Sequence, residues 1–282
     1  MTRLLLVTAD DFGLTEGVNR AVLRAHREGI VSSTSVLAVG RAYEDAVRMA
    51  KAAPDLAVGV HLAAVGEDPP LLPATSVPSL VDASGHFPLA YPAVLRRAML
   101  GRLDADDLRR EFRAQIERVV GDGVPVTHLD THQHLHLWPS IGAVVIELAR
   151  EFGIPAVRLP RSHRRGSVGL GVSALAAMLR RRLEGAGLAH TGDFAGLDEA
   201  GAMDRRLGYA VSGLARRGAR TVELNAHPGE DADPDLARFS WDYRWGDELA
   251  VLTDPASRAL ITDHGFELAS WRQLTTTKDD LP

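Results

Sequence analysis

The chain has 282 residues, 45% of them hydrophobic, enough for the core of one large α/β domain or of two small ones. Its formal charge is −5, from 32 basic and 37 acidic residues with no long basic run, which argues against nucleic acid as a partner. Cysteine is absent, which removes disulfides, thiolate ligands and a cysteine nucleophile, and no apolar stretch reaches membrane-spanning length.

Short apolar, β-branched runs alternate with amphipathic stretches along the chain. Residues 4–9 read as a strand, too short for a signal-peptide core, so a cytoplasmic protein is expected. Residues 15–29 read as a helix with Val18, Val22 and Ala25 on one face and Gly29 as its stop. A strand at 30–39, a helix at 41–53 and a strand at 56–62 follow. The stretch 63–102 is long and proline-rich. Asp104 then caps a helix whose Leu108, Phe112, Ile116 and Val119 recur at spacings of three and four. Next come a strand at 125–130, a helix at 140–152 behind Pro139, a short strand at 156–159 and a helix at 172–183. Residues 221–226 form another strand. The acidic stretch 228–248 contains Phe239, Trp241, Tyr243 and Trp245. Asp254 and Pro255 open a last helix ending near Gly265, and 266–269 is a final strand. The tail at 275–282 is polar and expected to fray. One domain over 1–274 is expected. Its repeated strand–helix units imply a mainly parallel sheet, either closed as a barrel or open and doubly wound.

Four motifs fall at predicted strand C-terminal ends, where α/β folds place their sites. ADDFG carries Asp10 and Asp11, GVHLA carries His61, and ELNAHPG carries His227. The densest, HLDTHQHLHLWP, packs His128, His132, His134 and His136 around Asp130. Each has an ordinary explanation alone: a turn cap, a hydrogen-bonded core histidine, a loop histidine. Four of them at the same end of successive strands are hard to explain as packing. Carboxylates and imidazoles together suit a metal ion or acid–base chemistry.

TADDFG, GVHL at 59–62, HLDTHQHLH at 128–136, NAHPG at 225–229 and the stretch 252–271 resemble the YdjC-like carbohydrate deacetylases over nearly the whole chain. That family includes chitooligosaccharide deacetylases and hopanoid-biosynthesis-associated proteins. The resemblance implies a single-domain, distorted TIM-like (β/α) barrel with seven strands, and metal-dependent removal of N-acetyl groups from an amino sugar or glycoconjugate. It implies that Asp11, His61 and His132 hold one divalent metal ion, with Asp10 as catalytic base and His227 as acid. The separate roles of the two aspartates also borrow from the more distant polysaccharide deacetylases. Gln133 stands where some relatives have another histidine, which is not a ligand position. Mg²⁺ is the family's usual metal, whereas two imidazoles suit Zn²⁺ or Co²⁺.

Further residues have supporting or substrate-facing roles open to them. Asp130 is a candidate partner for the second ring nitrogen of His132. Arg158 either orients Asp10 or forms a surface ion pair. His136 and Trp138, with the aromatics at 239–245, either face the sugar or pack locally. The segments 63–102 and 228–248, which follow His61 and His227, are expected to frame the substrate cleft. Two rival functions are a metal-dependent phosphoesterase on a similar barrel and a non-catalytic sugar-binding protein. Many oligomers are symmetric dimers, which leaves a homodimer open as the assembly.

Overall fold

The apolar runs fold into one parallel sheet wrapped by helices; a computed structural model describes residues 2–276. β1 (Arg3–Phe12) leads to α1 (Glu16–Glu28), β2 (Ser33–Val36) to α2 (Tyr43–Lys51), and β3 (Ala57–Leu62), by way of α3 (Tyr91–Met99), to α4 (Ala105–Gly121). β4 (Val126–Thr131) is followed by α5 (Pro139–Glu151), α6 (Ser167–Gly185), β5 (Asp193–Ala195), α7 (Met203–Arg217) and β6 (Thr221–Ala226). The last elements are α8 (Trp245–Thr253), α9 (Pro255–Asp263), β7 (Phe266–Ala269) and α10 (Trp271–Thr276).

Every strand pair is parallel, in the order β4-β3-β2-β1-β6-β5, with β7 beside β1. Residues 4–9 of β1 match 221–226 of β6 along one edge. The other edge is divided: residues 3–6 pair with β7, while Thr8, Ala9 and Phe12 pair with β2. Between β4 and β5 the described residues form isolated bridges alone, Leu129 of β4 to Val157 and Ala156 to Ala189, which precedes β5. The result is a seven-stranded, distorted TIM-like (β/α) barrel, tight on the β1 side and loose between β4 and β5. β1, β3 and β6 are buried on both faces along nearly their whole length, as strands covered by helices require.

Helix starts follow local chemistry. The Thr15 side chain accepts from Val18 N, Asp104 from Asp106 N, and Asp254 from Ala256 N. α1 then buries Val18, Ala21, Val22 and Ala25 against the sheet. Each such valine contributes about 1.5–3 kcal/mol through burial.

Several elements depart from the expectation. The strand expected at 156–159 is reduced to the two bridges, because Pro155 and Pro160 enclose it and proline cannot donate to a ladder. The seventh strand is β5, three residues long and too short to show alternation. The strand expected at 30–39 contracts to Ser33–Val36. The segment 63–102 contains α3, and 228–248 contains a 3-10 turn at Pro234–Arg238 and the start of α8. α10 extends into the expected polar tail, whose remainder, 277–282, lies outside the described residues.

Candidate metal centre and catalytic cleft

Adjacent residues of a regular strand point to opposite faces, yet Asp10 and Asp11 line one cleft of about 290 Å³ together with His61, His132 and His227. The cause is local. The register between β1 and β2 shifts between Ala9 and Phe12, and Asp11 has φ 65°. This left-handed position, which aspartate tolerates better than most residues, turns both carboxylates towards the mouth of the barrel. Gln133 and His134, at φ 52° and 54°, make a second kink of the same hand just after β4. Backbone strain of this kind concentrates at functional sites.

Asp11, His61 and His132 each aim one ligand atom at a common point, all within 4.8 Å of one another. His132 Nδ1 lies 3.1 Å from Asp11 Oδ1 and 3.3 Å from His61 Nε2. In the neutral ring, His61 Nδ1–H donates to Asp130 Oδ1 at 2.8 Å and Nε2 presents a lone pair to the same point, a state that a bound cation favours over the protonated ring. Asp11 Oδ1 is buried with no hydrogen-bond donor among the described residues. Burial alone would raise the Asp11 carboxyl, but His132 and His61 hold it well below the usual range. Burial likewise disfavours a charged His61, but Asp130, Asp10 and Asp11 push it up to about 9. The donor set therefore attracts positive charge and fits a divalent cation. Asp130, expected to support His132, instead supports His61.

A second set, Asp10, His61 and Asp130, is already claimed by an internal cation. Arg158 is fully buried and donates from Nη1 and Nη2 to the two oxygens of Asp10, each at 2.7 Å. Its Nη1 also lies 2.6 Å from Asp130 Oδ2, and its Nε donates to Glu223 Oε1 at 3.0 Å. Of the two alternatives for Arg158, the surface ion pair is excluded by its burial. Asn225 Nδ2 adds a bond to Asp10 Oδ2 at 2.9 Å. Gly196 leaves room for this amide: with φ 129°, an added Cβ there would fall 1.6 Å from Asn225 Oδ1. Burial opposes ionisation of Asp10, but Arg158 and then His61 outweigh it, and the carboxyl titrates below its usual range. Glu223 ends differently. Burial raises it to about 7 because Arg158 is shared with two other carboxylates.

The remaining histidines divide by environment. His128 is a core residue, stacked on Trp271 at 4.5 Å and bonded to Thr127 Oγ1 at 2.9 Å and Ser35 Oγ at 3.1 Å. Burial pushes it down to about 3, so it is neutral. Only glycine fits beside it, since a Cβ on Gly59 would lie 2.4 Å from its ring. His136 joins Thr131 Oγ1 at 2.7 Å to the Arg158 carbonyl at 3.0 Å. With both nitrogens engaged and the ring fully buried, it holds the Arg158 backbone and does not face substrate. His134 does line the cleft. Trp138 lines a neighbouring cavity instead.

His227 sits at the end of β6 with its ring 4.8 Å from Tyr243 and its Nδ1 buried without a partner among the described residues. Its backbone N–H donates to Glu248 Oε2 at 2.6 Å, which fixes the strand end. The two long segments meet across the cleft. Trp241 Nε1 donates to Glu67 Oε1 at 2.9 Å, and Arg238 Nη1 to Asp68 Oδ1 at 2.8 Å. Trp241 and Tyr243 line the cleft, while Phe239 and Trp245 pack behind them. Trp241→Ala is therefore expected to raise KM by roughly 2- to 10-fold, the worth of an aromatic contact of about 0.5–1.5 kcal/mol, with metal affinity unchanged. A metal titration that shifted in parallel with KM would show that Trp241 supports the centre and not the substrate.

Glu223, Asn225 and Glu248 escaped the reading of the sequence. The i, i+2 alternation of Glu223, Asn225 and His227 in an otherwise apolar strand was the available signal.

The chain matches the family model described as YdjC-like protein over residues 4–263. It is 33% identical to a carbohydrate deacetylase of Geobacillus stearothermophilus over 278 residues, covering 97% of this chain and 98% of that protein. It is 31% identical to a chitooligosaccharide deacetylase of Serratia marcescens over 280 residues, covering 97% and 100%. In fold it is similar to an Enterococcus faecalis crystal structure described as a candidate cellobiose-phosphate cleavage protein, with TM-score 0.82, 24% identity and coverage of 98% and 100%. A match across nearly the whole chain, on a barrel of this shape, identifies it as a member of the YdjC-like family.

Proposed function

We propose that the protein is a metal-dependent carbohydrate deacetylase that hydrolyses the acetamide of an N-acetylated amino sugar or glycoconjugate. The observation that carries this reading is the convergence of Asp11 Oδ1, His61 Nε2 and His132 Nδ1 on one point beside Asp10 and His227. The full-length similarity to carbohydrate deacetylases supports it. When bound there, a divalent cation supplies the charge that acidifies a neighbouring water and polarises the acetyl carbonyl.

The chain's own groups have the remaining work. Asp10, kept ionised and fixed in orientation by Arg158 and Asn225, takes the proton of the attacking water. His227, with Nδ1 unclaimed by any described residue, delivers a proton to the amine, which is too basic to leave as an anion. Asp130 sets the His61 tautomer that turns Nε2 towards the metal position. Trp241 and Tyr243 offer faces to the C–H surface of the sugar. Two imidazoles and one carboxylate favour Zn²⁺ or Co²⁺ over Mg²⁺. A phosphoesterase with two or three metals fits less well, because Arg158 already fills the second acidic set.

The decisive measurement is acetate release from N-acetylglucosamine and its oligomers by metal-stripped protein given Mg²⁺, Zn²⁺, Co²⁺ or Mn²⁺. Release with none of the four would overturn the reading. His61→Ala and His132→Ala are each expected to weaken metal binding by on the order of 100-fold or more in folded protein. Asp130→Asn, which weakens the support of His61 and also removes the charge facing Arg158, is expected to cost roughly 10–100-fold. Unchanged metal affinity in either alanine variant would remove that residue from the centre.

A further inference from the structure

One ring nitrogen of the metal centre and one nearby carboxylate oxygen stand without partners among the described residues. His132 turns Nδ1 to the metal position, 3.1 Å from Asp11 Oδ1 and 3.3 Å from His61 Nε2. A neutral ring that gives Nδ1 to a cation carries its proton on Nε2. Histidine ligands almost always pass that second N–H to a carboxylate, a carbonyl or a water, which fixes the ring. Asp130 is not free to take it. Its Oδ1 holds His61, and its Oδ2 holds Ser35 Oγ at 2.8 Å and Arg158. Among the described residues, none accepts from His132 Nε2.

The unused acceptor belongs to Glu67. It follows Gly66, whose backbone skirts the same edge of the ring: a Cβ added there would lie 3.5 Å from His132 Cδ2 and 3.7 Å from Nε2. Glu67 Oε1 accepts from Trp241 Nε1 at 2.9 Å, while Oε2 is buried with no donor among the described residues. The Trp241 and His132 rings are 5.3 Å apart, which closes the cluster. Burial raises the Glu67 carboxyl, whereas the Trp241 bond, its own backbone N–H and the charge of His132 pull it down, so imidazole and carboxylate are within electrostatic reach.

The loop that carries Glu67 is held along its length. Gln115 bonds both the N–H and the carbonyl of Ala63, and Gly66 N donates to Pro88 O at 2.9 Å. Asp68 Oδ1 accepts from Arg238 Nη1, and Glu111 accepts from Leu71 N and Leu72 N. A carboxylate on so fixed a loop is placed before any ligand arrives.

Resting on the metal centre of the deacetylase reading, we propose that Glu67 is the positioning residue of His132. Its Oε2 accepts the Nε2 proton, directly or through one water, while Oε1 keeps Trp241 in place. One side chain then joins a metal ligand to an aromatic wall of the substrate cleft. A carboxylate can serve both, because each oxygen accepts; an amide has one acceptor and one donor.

The first readout is Zn²⁺ affinity, measured by calorimetry on the metal-stripped full chain without substrate. Glu67→Ala should weaken it by roughly 10–100-fold. Glu67→Gln keeps the size and the bond to Trp241 but turns an N–H towards His132, so it should weaken binding by a similar factor and serves if the alanine variant misfolds. Natural affinity in either folded variant would overturn the assignment. Asp68→Asn disturbs the same loop and leaves Glu67 intact, so its Zn²⁺ affinity should not change. Equal weakening there would credit the loop and overturn the role of the carboxylate.

The second readout is the ring proton itself. In Co²⁺-loaded protein the N–H protons of ligand histidines give paramagnetically shifted resonances. The His132 proton should persist in water, as should the His61 proton held by Asp130, and in Glu67→Gln only the His132 proton should be lost to exchange. A His132 proton that exchanges freely in the natural chain, or survives in the variant, would overturn the proposal. Turnover reports separately. Glu67→Ala should raise KM for N-acetylglucosamine oligomers by roughly the 2- to 10-fold expected of Trp241→Ala, whose metal affinity is unchanged. Weakened Zn²⁺ binding in both Glu67 variants, with no acetate released by the natural chain, would uphold the positioning role and defeat the deacetylase reading.

Discussion

Arg158→Leu is expected to lower stability by about 3–5 kcal/mol or more, because it leaves Asp10, Asp130 and Glu223 buried without their shared cation. The urea midpoint at pH 7 measures this, and a midpoint equal to that of the natural chain would show that the guanidinium is dispensable to the fold. Arg158→Lys keeps the charge but loses the fork that reaches both oxygens of Asp10 while Nε holds Glu223, so it should fall between the two. The pH dependence has two opposing parts. Asp10 and Asp130 titrate low in the fold, so their contribution is present above the ordinary carboxylate range and is lost as pH falls through it. Glu223, raised by burial from 4.5 to about 7, works the other way. Between those values the folded chain keeps a proton that the unfolded chain has released, so its contribution is intact at low pH and lost as pH rises through about 7. Glu223→Gln removes that loss. Relative to the natural chain, it should therefore gain stability from pH 5 to pH 8. A constant difference across that window would mean that Glu223 is ionised throughout.

What was legible in the sequence depended on whether the signal was local. Strand ends bearing Asp10, Asp11, His61, His132 and His227 stand out because carboxylates and imidazoles interrupt apolar runs, and the structure gathers all five in one cleft. The parallel sheet follows from the alternation of strand and helix, whereas its closure as a barrel was implied only by the family resemblance; α7 was not anticipated, and one strand was misjudged: prolines on both sides reduced 156–159 to bridges, and the three-residue β5 stands in the sheet. Pairings across the barrel were illegible. Nothing within the motif HLDTHQHLH says that Asp130 supports His61, 69 positions away, and not neighbouring His132. Nor does composition separate the histidine that binds from those that pack. His128 and His136 each lie four positions from His132, but burial and two satisfied nitrogens retire them to the core. The kink at Asp11 was hidden for a related reason: a left-handed residue within a strand is a tertiary outcome, set by the bulge against β2.

Asp10→Asn and His227→Ala are expected to reduce turnover by roughly 10²–10⁴-fold each, with metal affinity largely preserved, and substrate chemistry should tell them apart. Asp10 receives a proton from water, a step that every acyl substrate requires. Its asparagine variant should therefore slow amides and activated esters alike. Part of that loss has a structural component, since Arg158 would face an amide where it now holds a carboxylate, so the urea midpoint should be measured alongside. His227 acts later, on the leaving group. An amine must be protonated to depart, whereas the alcohol or phenol of an activated ester leaves unaided. His227→Ala should thus cripple acetamide hydrolysis and spare the activated acetate. For the amide, the kcat/KM profile should rise and then fall with pH in the natural enzyme, as it does when one group must be ionised and another protonated, whereas for the activated ester the alkaline fall should be absent in the natural enzyme and in His227→Ala alike. Tyr243, 4.8 Å from the His227 ring, provides an internal control: Tyr243→Phe keeps the packing, so it should leave the ratio of amide to ester rates unchanged. Equal slowing of amide and activated ester in His227→Ala would deny it the role of acid and leave it as a group that binds the substrate or the developing oxyanion.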